Sequence, residues 1–136
     1  MFSRATRTTQ VVPAASTDYR LISGWTDNKA TRIGYRYGTT AWGWLHIQPH
    51  NVTNTMVKKT TQFPRSRTVS GTTITYVTPA NEFTCWLTVC WITRTMDVQV
   101  VVNSSPRLSD GYPKGVISAY CVGANVCPSW VVKVAG

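Results

Sequence analysis

The sequence predicts an α+β fold, with N-terminal helices packed on a twisted antiparallel β-sheet in a single domain. Three observations carry this expectation. The best helical signal lies in one early stretch, residues 41–60. After residue 60, Thr, Val, Trp and Tyr dominate, which is strand composition. A helical part followed by a run of strands argues for segregated elements rather than alternating ones. The length of 136 residues suits one domain with a real core, and no repeat or linker divides it.

Each element has a local reason. Residues 1–17, MFSRATRTTQVVPAAST, are basic and Thr-rich without a continuous apolar stretch. They do not read as a signal peptide, so a flexible leader is expected there, ahead of a domain at 18–136. RIGYRY, at 32–37, is a short extended segment. Within 41–60, Pro49 disfavours helical geometry at the residue before it. A short helix, a break and a second helix near 51–59 follow, with Asn51 as the cap. RTVSGTTITYV holds Ser70-Gly71 between two extended runs and reads as a hairpin. Residues 84–94 and 97–103 read as strands, with a turn near Thr95-Met96. SSPRLSDGYP is a loop, marked by Pro106, Asp110-Gly111 and Pro113. KGVISAYC and WVVKV are the expected last two strands.

Charge narrows the function classes. The chain has 14 Lys and Arg against 5 acids, a formal charge of +9. That excess favours an anionic partner, nucleic acid first and an anionic membrane second. The cations are scattered, so any basic patch must be assembled by the fold. Asp18, Asp27, Glu82, Asp97 and Asp110 lie far apart in sequence. That supply is poor for a two-metal nuclease or a paired-carboxylate glycosidase. There is no C-x-x-C and no H-E-x-x-H, and no metal or other cofactor is expected. No apolar run approaches the ~18 residues of a membrane span.

Four cysteines in a small basic chain suggest an oxidising compartment and a secreted protein. Cys85 and Cys90 sit in TCWLTVC, which reads as one strand. In a straight strand such a pair lies ~16 Å apart, too far to bridge. Cys121 and Cys127 flank VGANV, which can turn at Gly123 and Asn125, and are the expected disulfide.

The stretch GWLHIQPH contains both histidines of the chain, His46 and His50. Imidazole both accepts and donates a proton near neutral pH. In KGVISAYC, the period of a strand puts Lys114, Val116, Ser118 and Tyr120 on one face. An amine, a hydroxyl and a phenol there could hold a phosphate. RNA carries its own nucleophile, the ribose 2′-OH. Cleaving it needs a base, an acid and donors around the phosphorane, and no metal. Blander readings stand beside this one. His46 could be a satisfied core residue, His50 a solvated turn residue, and Trp42 and Trp44 ordinary packing. The polar strand face could be merely solvated.

These residues resemble a known family. A segment of the form H-I-x-x-H-N-V on an early helix precedes a β-rich half that ends in a strand [VI]-[ST]-A-Y. This is similar to the BECR ribonuclease toxins, the barnase, EndoU, colicin and RelE-like group. Within it, the chain most resembles the RNase A-like toxin domains of contact-dependent inhibition and other polymorphic toxin systems. The carrying residues are His46-Ile47, His50-Asn51-Val52 and Ile117-Ser118-Ala119-Tyr120. VQVVVNSSPRLSDGYPKG is similar to the family's penultimate strand and loop, so the likeness spans roughly 35–122.

The resemblance implies a monomeric, metal-independent endoribonuclease that forms 2′,3′-cyclic phosphate ends, often on tRNA. It implies secretion, action in the cytoplasm of a target cell, and an acidic immunity protein in the producer. By the same likeness, His46 or His50 is base or acid, and Ser118 and Tyr120 orient the phosphate. Lys58, Lys59, Arg65 and Arg67 compete for the basic role, with Lys114 as a further RNA contact. Three features depart from the family pattern: Ser118 stands for the more usual Thr, the histidines are four apart rather than five, and Pro49 interrupts the helix. Two other classes compete. One is a non-catalytic, disulfide-stabilised β-rich binding module. The other is an ADP-ribosyltransferase-like toxin, for which Glu82 would be the sole glutamate.

Overall fold

A computed structural model describes residues 17–136. The expected leader, but for Thr17, lies outside the described residues. The expected architecture of N-terminal helices on a sheet is overturned. After one 3-10 turn the described chain opens with strands, and strands dominate it throughout. Strands β1 (Leu21–Thr26) and β2 (Arg32–Arg36) form an antiparallel pair. Then come helix α1 (Trp44–Ile47), a 3-10 turn (Gln48–His50) and helix α2 (Asn54–Gln62). Strands β3 (Ser66–Ser70), β4 (Thr73–Trp86), β5 (Val89–Arg107) and β6 (Pro113–Cys121) build a second, four-stranded sheet in chain order. Helix α3 (Ser129–Ala135) closes the chain. Among the described residues, no helix is long and apolar enough to cross a membrane.

The missed hairpin is made by Asp27. Its Oδ1 accepts from the backbone N–H groups of Lys29 and Thr31 at 2.8 and 2.9 Å. Such an Asx turn reverses the chain without a glycine at its centre. The helical stretch breaks after Pro49, but the cap of α2 is Thr53, whose Oγ1 accepts from the Met56 amide at 3.2 Å. Asn51 instead takes a left-handed conformation that ends the 3-10 turn. From α2, Met56, Val57, Thr60 and Thr61 enter the core at helical spacing. The two apolar side chains contribute about 1.5–3 kcal/mol each by burial.

Three further sequence expectations fail. The β4–β5 turn lies at Leu87-Thr88, not at Thr95-Met96. Cys85 and Cys90 are therefore cross-strand partners, 4.1 Å apart at Cα, and form a disulfide. The straight-strand spacing that excluded this pair does not apply to a hairpin. Cys121 and Cys127 form the second disulfide. WVVKV is helical, not a strand. Val131 is buried in the core, with Trp130 and Val132 packed against it. Tertiary burial there outweighs the β preference of three valines.

The core lies on one face of the large sheet. Ile74, Tyr76, Val98, Val100, Val102, Val116, Ala119 and Cys121 form that face, beneath α2, α3 and the β1–β2 hairpin. Two buried ion-pair networks staple the hairpin down. At one end Asp27 Oδ2 accepts from Tyr76 Oη at 2.6 Å and Arg67 Nε at 2.9 Å. At the other, the fully buried Arg36 binds both Asp110 oxygens and donates to the carbonyls of Tyr19, Tyr112 and Pro113. Gly115 lets β6 touch β2. Its φ is +86°, and an added Cβ would lie 1.8 Å from the Gly34 oxygen.

Candidate active site

The site begins with a pinned helix. Gly43, at φ +79°, donates its N–H to the Ile117 carbonyl of β6 at 2.9 Å. The Leu45 N–H donates to Tyr37 at 3.0 Å. Helix α1 is thereby held against the edge strand of the sheet, and His46 reaches over that edge.

Both imidazoles are fixed by carbonyls. His46 Nδ1 lies 2.9 Å from the Thr40 oxygen, and His50 Nδ1 lies 2.6 Å from the Asn125 oxygen. A carbonyl only accepts, so each Nδ1 carries a proton and each Nε2 is left for chemistry. The rings meet edge to face with centroids 5.5 Å apart. His46 Nε2 lies 3.5 Å from Ser118 Oγ. With its Nδ1 protonated, that Nε2 accepts from the hydroxyl.

Ser118 and Tyr120 share the open face of β6, opposite the core. The strand does not keep its simple period, however. A register shift between Val101 and Val102 bulges it at Ile117 and turns Val116 into the core. Lys114 leaves the row and sits 4.4 Å above the Trp42 ring. Tyr120 pairs with Gln99 across the sheet, and its Oη accepts from Gln99 Nε2 at 2.7 Å. An amide nitrogen only donates, so the phenolic proton is free for another acceptor. Beyond Gln99 on the same face of β5, Asp97 binds Arg65 at 3.1 Å. The open face thus presents His46, Ser118, Tyr120, Gln99 and the Asp97–Arg65 pair along adjoining rungs.

Aromatic and cationic pairs gather on the segments that lead into α1 and β6. Trp42 packs on Tyr19 at 5.1 Å and Tyr37 stacks on Trp44 at 5.5 Å. Arg20 lies 4.7 Å over Tyr37, and Lys114 caps Trp42. The other basic candidates are elsewhere. Arg67 faces the core and is bound to Asp27. Lys58 and Lys59 lie exposed on α2, and Lys59 lines a cleft with Asn81 and Val134. Among the described residues, no three His, Cys, Asp or Glu side chains converge on a metal-sized site. Glu82 is held by Arg94 at 2.8 Å.

Sequence reasoning missed Gln99, Thr40, Asn125 and Arg20. Two of these act through backbone carbonyls, for which side-chain identity carries no signal. No protein-family model, curated protein or solved structure matches the chain.

Proposed function

We propose that the chain is a metal-independent endoribonuclease of the secreted-toxin type. One observation carries the reading: two imidazoles, each anchored through Nδ1, stand together, and His46 Nε2 meets the Ser118 hydroxyl on the strand that also carries Tyr120. In this reading His46 Nε2 takes the proton of the ribose 2′-OH, which replaces the Ser118 hydroxyl as its donor. The 2′-oxygen bonds to phosphorus, the bond to the 5′-oxygen breaks, and His50, which enters as the imidazolium, gives its Nε2 proton to that leaving oxygen while its Nδ1–H stays on the Asn125 carbonyl. A 2′,3′-cyclic phosphate remains. The Tyr120 and Ser118 hydroxyls donate to the phosphorane oxygens. Lys114 and Arg20 hold neighbouring phosphates, and the aromatic pairs stack unpaired bases. A tRNA is the favoured substrate, and an acidic immunity protein suits the uncovered cations.

The test is cleavage of total RNA with and without EDTA, followed by analysis of the ends. Cleavage is expected in both, with cyclic phosphate termini. His46→Ala and His50→Ala should each lower the rate by about 10²-fold or more, the usual scale for a positioned proton carrier. Tyr120→Phe should also lower it strongly. Unchanged cleavage in all three variants would remove the assignment.

A further inference from the structure

Strands β4 and β5 outrun the rest of the sheet. β3 pairs with β4 only as far as Val77, and β6 pairs with β5 only from Val98 onward. Beyond Asn81 and Thr95 the two strands continue as a free ribbon to the Leu87-Thr88 turn. Every residue from 83 to 95 is exposed. The segment 83–93, FTCWLTVCWIT, carries no charge.

The register distributes its apolar groups over both faces. Phe83, Ile92 and the Cys85–Cys90 bridge share one face, and Trp86, Val89 and Trp91 share the other. Leu87 stands at the tip, 83% exposed, with Trp86 at 70% and Phe83 and Val89 at 60%. Contiguous apolar surface of this kind marks an interaction site. A flat protein partner would cover one face of the ribbon and leave the other wet. An arm apolar on both faces and at its end is covered fully only by a medium that surrounds it.

We propose that this arm docks into the interfacial layer of an anionic lipid bilayer. From Glu82 to Trp86 the ribbon rises about 13 Å, less than half of the ~30 Å hydrocarbon thickness. It enters one leaflet and does not cross. Its outer edges carry backbone groups without ladder partners, which the hydrocarbon centre penalises. The headgroup–acyl boundary tolerates them and is where tryptophan rings settle. Charge at the root fits such a surface. At the arm's base Arg94 is paired with Glu82, so Lys133 and Lys59 supply the net positive charge there. The +9 chain adds a long-range attraction. The disulfide across the last rungs holds the ribbon together outside the sheet.

The test uses the oxidised full chain with large unilamellar vesicles of phosphatidylcholine, alone or with added phosphatidylglycerol. Co-sedimentation is expected with the anionic vesicles, together with a blue shift of tryptophan emission. The triple variant Trp86→Ser, Leu87→Ser, Trp91→Ser should partition at least about tenfold more weakly. Its far-UV spectrum and unfolding midpoint should stay as in the parent, because all three side chains are exposed. Absence of binding to anionic vesicles would overturn the proposal. Equal binding by the triple variant would also overturn it, since the basic body alone would then be responsible. A dimer that forms without vesicles and is lost in the triple variant, with no lipid binding, would make a second copy the occupant instead.

Discussion

Gln99 acts through another residue. Its Nε2 donates to Tyr120 Oη, so Gln99→Leu should cut RNA cleavage by about tenfold while leaving the unfolding midpoint near the parent's. The same change made on Tyr120→Phe should add little, because the hydroxyl it positions is gone. The buried networks predict stability instead. Asp27→Ala strands Arg67 and the Tyr76 hydroxyl, and should cost about 3–5 kcal/mol in urea unfolding. Burial pushes the Asp27 carboxyl up, but the Tyr76 hydroxyl, the Thr31 and Lys29 amides and Arg67 outweigh it and hold it below its ordinary 3.8. Arg36 does the same for Asp110. Groups depressed on folding stabilise fully above their ordinary value and lose that contribution as pH falls through the lowered one. Thermal stability should therefore decline below about pH 4, and Asp110→Asn should flatten the decline. At this scale, His46, His50, Ser118 and Tyr120 can be singled out from the sequence as candidates because they are rare or chemically distinctive. Gln99 was not, because a glutamine on a strand gains its role only from the residue opposite.

Among the elements, the Cys121–Cys127 loop predicts a redox effect. It presents the Asn125 carbonyl to His50, and the Cys127 N–H donates to the His50 carbonyl at 2.8 Å. Reduction, or the pair Cys121→Ser and Cys127→Ser, should free that ring and lower cleavage more than it lowers the fold's stability. Closing so short a loop is worth about 2 kcal/mol. Cys85→Ser with Cys90→Ser should leave cleavage unchanged. Element identity was readable where a residue type dictates geometry, as at Pro49 and Ser70-Gly71. It failed where partners decide. Leu87-Thr88 carries no turn residue, and its turn is imposed by the flanking cross-strand pairs. WVVKV looks like a strand but coils because Val131 finds the core. The strand bulge at Ile117 and the close approach of Gly115 to Gly34 are set by neighbouring strands, which no period in one strand reveals.

Across the molecule, four of the five acids are matched to Arg36, Arg65, Arg67 and Arg94. The positive excess therefore resides mainly in other cations, among them Arg20 over Tyr37 and Lys114 over Trp42. RNA affinity should fall linearly with salt on logarithmic axes, as counterions are released. Arg20→Gln and Lys114→Gln should each reduce that slope by about 0.7, the value per phosphate on a single strand. Charge was legible as a total in the sequence, but its sorting into spent and available cations needed the fold. The 19-residue strand β5 gives the molecule one more property. It runs from the ribbon's tip, through one bulge at Thr93, to the residue that pairs with Tyr120, with no loop between. Wherever the tip is held, the tilt of the whole body is set with it. The face that carries Ser118 and Tyr120 then keeps its direction relative to whatever holds the tip, as a blade keeps its angle to a gripped handle.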